Sequence, residues 1–214
     1  MKEALRTEKL YLRRGRFLVS DVNLSVETGQ MLAIGGRSGA GKTTLIRGIG
    51  GAFAPEAGRI CYWEKELWED EADIRRRMSL VHDEPNFNTE LKPERLVREL
   101  VRFEPFFARE AFFIYMEQME LDPRQRVKLY SPGMVKKLML VLALCRSPEL
   151  LVMDEPTSGA DVQAKALMWE IIEDYRKNHP VAVVYTTHHE SELAKADIAL
   201  YLRDGRLTKG EDRV

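Results

Sequence analysis

A glycine-rich segment that ends in lysine and threonine has the clearest chemistry in this sequence. Residues Gly36–Thr43 read G-R-S-G-A-G-K-T and fit the pattern G-x-x-x-x-G-K-[ST]. Glycines let the backbone curl so that successive N–H groups point at phosphate oxygens, and the following helix adds positive potential at its N-terminus. This phosphate loop therefore predicts a nucleoside triphosphate site. The expected contacts are Gly36, Ser38, Gly39, Ala40, Gly41, Lys42, Thr43 and Thr44.

Two of these residues have side chains suited to the reaction as well as to binding. We expect Lys42 to reach the β- and γ-phosphates, where its charge would also assist catalysis. The Thr43 hydroxyl is expected to ligate Mg²⁺.

Two carboxylates follow the apolar run Leu150–Met153. A carboxylate at the end of a buried strand beside the phosphate loop can hold the Mg²⁺ shell, and this is the role expected of Asp154. Glu155, one residue further, is suited to polarise an attacking water. The alternative is a solvated strand end that happens to carry two acidic residues.

A histidine follows another apolar run, Val181–Tyr185, in the segment Thr186–His189. His188 could hydrogen-bond a γ-phosphate and respond to its loss, which makes it a catalytic candidate. A purely structural histidine is the alternative, and His189 is interpreted as a surface residue.

Four continuous apolar runs predict the buried parallel strands that would position these residues. They are Met31–Ile34, Met78–Val81, Leu150–Met153 and Val181–Tyr185. Ligands bind outside the carboxyl ends of such strands, so the phosphate loop, the acidic pair and the histidine should meet at one sheet edge.

The remaining elements are expected to surround this parallel sheet. Segments around Val19–Glu27 and Gly58–Trp63 favour a small antiparallel layer. Residues 86–129 contain no strand-like run and predict a helical insert. A further helix should run from Ser131-Pro132 to Arg146, because proline suits the first helical position, and another over Gln163–Lys177.

Composition limits the class of protein. The 214 residues carry a formal net charge of −1, which gives no bulk electrostatic reason to expect nucleic-acid binding. The longest apolar run, Leu138–Cys145, falls far short of the roughly 20 residues of a membrane-spanning helix, and Met1–Leu10 shows no secretory signal. Two cysteines fit a reducing compartment, so a cytoplasmic protein is expected.

The chain resembles the nucleotide-binding subunits of ATP-binding-cassette (ABC) transporters from about Leu5 to Gly210. Asp154–Thr157 and Ser158–Asp161 are similar to that family's Walker B segment and D-loop, and Thr187-His188 with Glu192 to its switch-histidine segment. The resemblance implies an α/β P-loop NTPase fold with a RecA-like parallel sheet, an antiparallel layer and a helical lobe. One ABC ATPase domain would cover residues 1–214, with the lobe at about 86–145 and the core at 1–85 and 146–214.

Tyr130–Met134 reads Y-S-P-G-M and stands where the family has a signature motif close to L-S-G-G-Q. The resemblance implies that Ser131 and Gly133, with Asp161 of the D-loop, contact the nucleotide held by a second subunit. Variants of the form Y-S-x-G-M resemble those of two-component exporters of the ABC-2 type. By itself, Ser-Pro-Gly would indicate a turn and a helix N-cap.

Two positions depart from the family pattern. Asp83 stands where the family usually has a glutamine that touches Mg²⁺, and it is a candidate metal contact or a solvated loop carboxylate. Arg14 aligns with the aromatic residue that usually stacks on adenine; Tyr11 and Phe17 are alternatives. Arginine can lie flat on a purine.

The resemblance implies an ATPase that uses ATP and Mg²⁺, pairs with a second nucleotide-binding subunit as a homodimer or heterodimer, and powers a membrane-spanning partner, with export favoured. Such a protein would be peripheral on the cytoplasmic face of the membrane. A soluble non-transport ABC ATPase, such as one for iron–sulfur assembly, is the alternative, and a regulatory module that does not hydrolyse ATP is a third. Five phenylalanines within Phe103–Phe113 indicate either the lobe's own core or a groove for a helix of the membrane subunit.

Overall fold

Two sheets organise the chain, of which the computed structural model describes residues 2–15 and 17–210. The strands are β1 (Glu3–Arg14), β2 (Phe17–Glu27), β3 (Met31–Gly35), β4 (Ala57–Tyr62), β5 (Lys65–Glu66), β6 (Met78–Val81), β7 (Leu150–Asp154), β8 (Ala182–Thr186), β9 (Ile198–Arg203) and β10 (Arg206–Lys209). In the described ranges, one sheet has the order β10-β9-β3-β8-β7-β6 and the other β2-β1-β4-β5.

Helices connect the strands of the larger sheet. They are α1 (Lys42–Ile49), α2 (Glu71–Arg77), α3 (Pro93–Phe103), α4 (Arg109–Gln118), α5 (Pro132–Leu144), α6 (Val162–Asn178) and α7 (Glu190–Leu193), with 3₁₀ turns at Leu67–Glu69 and Val127–Leu129. Across residues 2–15 and 17–210, no helix is both long and apolar enough to cross a membrane.

The central parallel strands β3, β7 and β8 are apolar up to their carboxyl ends because both of their faces are covered. In β3, Met31 and Ala33 pack in one hydrophobic core while Leu32 and Ile34 pack in the other. The first core includes the helices of residues 86–145, and the second includes the smaller sheet. This two-sided burial explains why the sequence shows continuous apolar runs rather than alternation.

All four predicted parallel strands are confirmed as β3, β6, β7 and β8, with ends within one residue. The hairpin of β9 and β10 was not predicted, although it adds two strands at the edge beside β3. It turns at Asp204 and Gly205, which have φ of 47° and 75°. Such Asp-Gly turns match the twist of a two-residue hairpin.

The smaller sheet is antiparallel, as expected, and contains the two predicted segments as β2 and β4. Its longest strand, β1, was missed. The pairing of β1 with β2 shifts register at three places, so its apolar residues do not alternate regularly along the sequence.

Residues 86–145 contain α3, α4 and α5 and no strand, as predicted for this described span. Helix α5 begins at Pro132, with Ser131 as its N-cap, and ends at Leu144, two residues before the predicted end. Helix α6 extends one residue beyond the predicted range at each end.

Candidate nucleotide site

The phosphate loop connects β3 to α1. Two of its glycines, Gly36 and Gly41, have positive φ angles that residues with a Cβ rarely adopt. Gly36 has φ of 150°, and a Cβ there would lie 2.5 Å from the backbone oxygen of Leu202. Gly41 is the N-cap of α1 with φ of 102°. The loop therefore takes a left-handed path directly into the N-terminus of α1.

Lys42 is the buried cation of this loop. Its Nζ donates to the backbone oxygens of Gly36 and Arg37 at 2.8 and 3.2 Å. The same Nζ lies 3.2 Å from Oε1 of Glu155, and the Lys42 side chain is only 6% exposed. Carbonyls and a carboxylate thus stabilise an ammonium group whose burial would otherwise be costly. Phosphate oxygens could take the place of the Glu155 carboxylate at this ammonium.

Asp154 and Glu155 lie at the end of β7, and Thr186 of β8 orders both of them. The hydroxyl of Thr186 donates to Oδ1 of Asp154 at 2.7 Å and accepts the N–H of Glu155 at 3.0 Å. Thr186 was not predicted as a site residue. A polar residue directly after the apolar run of β8 was the available signal, since β8 pairs in parallel with β7 and places Thr186 beside Asp154.

The backbone of Glu155 is in the left-handed region, with φ of 44°. This conformation is uncommon for a residue with a Cβ, and its cost is of order 1–3 kcal/mol. The surrounding contacts, including the bond to Thr186, hold the residue in this conformation.

His188 contacts the same carboxylate from the other side. Its Nδ1 lies 3.1 Å from Oε2 of Glu155. Because an ionised carboxylate only accepts, Nδ1 must carry the proton in this contact. Glu155 therefore meets Lys42 with one oxygen and His188 with the other, and the three residues predicted to be catalytic lie in direct contact.

His189, interpreted above as a surface residue, is in fact partly buried. Its Nε2 lies 2.9 Å from Nζ of Lys165 on α6.

A cleft of about 960 Å³ adjoins the phosphate loop. Gly36, Ser38, Gly39, Ala40 and His188 contribute to its lining, together with residues of the hairpin of β9 and β10. Of the other predicted contacts, Thr43 is exposed at the first turn of α1, while Thr44 is buried.

Of the three residues predicted to hold Mg²⁺, Thr43 and Asp154 differ from Asp83, which forms an ion pair with Lys136. Thr43 and Asp154 offer a hydroxyl and a carboxylate, which are the hard oxygen ligands that Mg²⁺ prefers. Residues 2–15 and 17–210 contain no group of three or more acidic, histidine or cysteine side chains suited to a metal.

Asp83 is engaged elsewhere. Its Oδ1 lies 2.9 Å from Nζ of Lys136, and the same Nζ donates to the backbone oxygen of Asp83 at 2.6 Å. Lys136 is a buried residue of α5. This ion pair between the loop after β6 and α5 was not predicted, and the role of Asp83 as a metal contact stays a prediction.

The residues predicted to contact a second subunit's nucleotide lie together at the starts of two helices. Ser131 caps α5 by accepting the N–H of Met134 at 3.2 Å, and Asp161 caps α6 by accepting that of Ala164 at 2.8 Å. Gly133 joins the two, since a Cβ there would lie 3.1 Å from Cα of Ala160.

Arg14 lies at the end of β1, where it pairs with Phe17 across the turn into β2. It is not among the residues that line the cleft beside the phosphate loop. Tyr11 and Phe17, the alternatives, are 36% and 37% exposed. The residue that stacks on adenine therefore stays a prediction.

Known proteins resemble both the sequence and the fold. A family model described as ABC transporter matches residues 19–158. Nod factor export ATP-binding protein I of Bradyrhizobium diazoefficiens is 33% identical over 189 residues, which are 84% of this chain and 60% of that protein. Zinc import ATP-binding protein ZnuC of Pseudomonas fluorescens is 33% identical over 191 residues, which are 88% of this chain and 69% of that protein. The chain thus spans about 60% of the length of the first of these relatives.

Solved structures agree in fold. An ATP-binding subunit of an ABC transporter superposes with a TM-score of 0.84 at 24% identity, covering 98% of this chain and 90% of that one. A dimeric ATP-binding cassette bound to ADP and Pi gives 0.82 at 20% identity, covering 98% and 100%. With the family model matching more than half of its residues, the chain belongs to the ABC transporter family.

Proposed function

We propose that this chain is the ATP-hydrolysing subunit of a membrane transporter. One observation carries the proposal: the carboxylate of Glu155 contacts both Lys42 of the phosphate loop and the ring of His188. A carboxylate between a phosphate-binding lysine and a histidine is suited to act on a water that attacks the terminal phosphate.

Binding of ATP would rearrange the contacts of Lys42. Its ammonium group keeps the carbonyl of Gly36 and exchanges Glu155 for phosphate oxygens, which releases the carboxylate to accept a proton from water. The Nδ1–H of His188 holds the freed carboxylate in orientation. Thr43 and Asp154 would hold Mg²⁺, which neutralises charge on the phosphates when bound.

Two such chains, as homodimer or heterodimer, would close head to tail around ATP. Ser131, Gly133 and Asp161 support this arrangement because they lie together at two helix starts, where N–H groups favour an anion. The nucleotide of one chain would then contact these residues of the other.

The membrane-spanning partner would dock on a groove of about 410 Å³ between the helical lobe (residues 86–145) and the sheet. The groove is lined in part by Phe87, Leu91, Leu100, Phe103 and Leu142. An exposed apolar groove of this kind suits an amphipathic helix. The protein would therefore lie at the cytoplasmic face of the membrane.

Some phenylalanines of Phe103–Phe113 belong to the core of the lobe, and others are exposed where a helix of the membrane subunit could contact them. Phe107 and Phe112 are buried in the core, while Phe103 and Phe106 are 84% and 69% exposed. The lobe thus has its own core and still presents aromatic surface beside the groove.

Export is the direction we propose, because the segment Tyr130–Met134 has the form seen in two-component exporters. Similar proteins named for Nod factor export favour the same direction, while ZnuC is named for zinc import. The cargo would be selected by the membrane partner.

The variant Glu155→Gln tests the proposal. It keeps the size of the side chain and removes the proton acceptor, so ATP turnover should fall at least a hundredfold while MgATP binding persists and an ATP-bound dimer accumulates. Turnover assays, gel filtration with MgATP, and identification of the membrane protein retained by the tagged variant are the measurements. Glu170→Gln, at an exposed carboxylate of α6, is the matched control. Hydrolysis near the normal rate by Glu155→Gln would refute the role of Glu155.

A further inference from the structure

A buried carboxylate, that of Glu192, connects the two loops that carry Glu155 and His188. Glu192 is 4% exposed. Its Oε1 accepts the hydroxyl of Thr157 at 2.5 Å, and its Oε2 accepts the hydroxyl of Thr187 at 2.5 Å. Thr157 follows Glu155 by two residues and Thr187 directly precedes His188. One side chain therefore bonds both loops near their bases.

The connection continues to the strand that leads into the phosphate loop. The N–H of Thr187 donates to the backbone oxygen of Ile34 in β3 at 3.1 Å. The hydroxyl of Thr187 also accepts the N–H of His189 at 3.0 Å, which fixes the path of the chain on both sides of His188. Thr187 is thus held by three independent hydrogen bonds.

Helix α7, which carries Glu192, is anchored independently of these two loops. The hydroxyl of Tyr185 donates to the backbone oxygen of Glu192 at 2.7 Å. Leu193 packs on Gly35, where a Cβ would lie 3.0 Å from Leu193 Cδ1. The carboxylate therefore projects from a support that is attached to β8 and to the end of β3.

An apolar side chain of similar size could fill the space of Glu192 without the cost of burying a carboxylate. It could not supply two directional bonds to two separate loops. The two threonine hydroxyls satisfy both carboxylate oxygens, so the arrangement has the geometry of a bridge.

We propose that Glu192 is a positioning residue for hydrolysis: it holds the loop of Glu155 and the loop of His188 at the spacing that lets their side chains meet. Two links therefore join the loops. One is the direct contact between Glu155 and His188 at 3.1 Å, and the other is the Thr157–Glu192–Thr187 bridge. This inference rests on the proposed ATP hydrolysis and adds to it how the reacting geometry is kept.

A double-mutant cycle tests the bridge because its two bonds act in series. Thr157→Val and Thr187→Val each remove one hydroxyl at nearly constant volume, and each should lower kcat about tenfold, since misplacement of about 1 Å can cost more than that. The double variant should lose no more than Thr187→Val, which also loses the bond to His189. KM for MgATP should stay within about twofold.

Thr7→Val is the matched control. Thr7 is a buried threonine of β1 whose hydroxyl likewise donates one bond, to Val22, and accepts another, from Leu24. Its loss should lower the melting temperature without changing kcat. Glu192→Gln, which can still bridge the two threonines, should retain most of the kcat that Glu192→Leu loses.

A second measurement separates this inference from the proposed function. In the nucleotide-free protein, ¹⁵N shifts of His188 report how fully its Nδ1 is protonated, as the contact with Glu155 requires. Both threonine variants should shift His188 toward a mixture of tautomers, and Thr7→Val should not. If the wild-type protein does not hydrolyse ATP, the proposed function fails while the histidine shifts still test the bridge. Unchanged kcat and unchanged shifts in both threonine variants, or additive losses in kcat, would overturn the inference.

Discussion

The N-termini of α1 and α5 are both proposed to contact a nucleotide, yet they differ in how their N–H groups are satisfied. The N-cap of α1 is Gly41, and no side chain of the described residues caps this helix. The N-cap of α5 is Ser131, whose hydroxyl accepts the N–H of Met134, and the N-cap of α6 is Asp161, whose carboxylate accepts the N–H of Ala164. In the part of the chain that the structure describes, none of the first N–H groups of α1 is bonded by a capping side chain, whereas one N–H at the start of α5 and one at the start of α6 are bonded by the cap, which leaves the others for an anion.

This difference suggests an order of events. An uncapped start at the end of the phosphate loop is ready for ATP in the separate chain. The starts of α5 and α6 are already stabilised in part by their side-chain caps. They would engage phosphate only when a second chain brings one to them.

Gly41→Ala, at the start of α1, is expected to have the largest effect on stability and MgATP binding. The residue has φ of 102°, and a Cβ would lie 3.0 Å from Cγ2 of Val19, so the variant combines strain with a close contact. We expect a loss of about 1–3 kcal/mol in the free energy of unfolding and at least tenfold weaker MgATP binding. Denaturant unfolding and nucleotide titration measure both.

Gly39→Ala is the control for this prediction. It shares the positive φ, at 82°, but its Cβ would meet none of the described atoms within 4 Å. It should therefore lose less stability than Gly41→Ala. MgATP binding by Gly41→Ala as tight as that of the wild-type protein would contradict an anion site at the start of α1.

Ser131→Ala changes the start of α5, and its effect on stability should be smaller than that of Gly41→Ala. Loss of the cap should lower the free energy of unfolding by about 1 kcal/mol. MgATP binding by the separate chain should change little, and turnover should fall because the second chain's contact is weakened.

Ser131→Asp distinguishes the cap from the phosphate contact. Aspartate caps helices as well as serine does, so stability should be kept, while its charge should repel phosphate and reduce turnover. Normal turnover by Ser131→Asp would show that this helix start does not meet a nucleotide.

The smallest effect is expected from Asp83→Asn, which tests how α5 is attached to the loop after β6. The variant weakens a contact in which the Asp83 side chain is 53% exposed, so about 0.5 kcal/mol of stability should be lost. Because Lys136 holds this carboxylate, we expect the Mg²⁺ concentration for half-maximal turnover to change less than twofold. Glu84→Gln, at an exposed neighbour, is the control. A several-fold increase confined to Asp83→Asn would support the metal contact predicted from sequence.

The sequence was most informative where function depends on a short contiguous segment. The phosphate loop, Asp154, Glu155 and His188 could be assigned to one sheet edge because each directly follows or lies close to an apolar run that forms a parallel strand. The strand β1 was missed because bulges interrupt its alternation. The hairpin of β9 and β10 does have a local signal in the sequence, the Asp-Gly pair at Asp204 and Gly205, which is typical of a two-residue hairpin turn.

Contacts between distant residues could not be predicted in this way. Lys136 and Asp83 are 53 residues apart, and Glu192 and Thr157 are 35 apart. Nothing in the local spacing indicates which buried charge meets which loop, because that depends on how the helices pack on the finished sheet. Asp83, Thr157 and Glu192 lie in or beside segments that resemble family motifs, but those motifs do not indicate which side chain each residue meets.

The left-handed backbone of Glu155 has a consequence for how this protein can change over time. A glycine would adopt that conformation without strain, but it would also remove the carboxylate that stabilises the buried ammonium group of Lys42. Relief of backbone strain and retention of the carboxylate therefore oppose each other at this residue, so a substitution that favours the local backbone would still leave a buried charge without its partner.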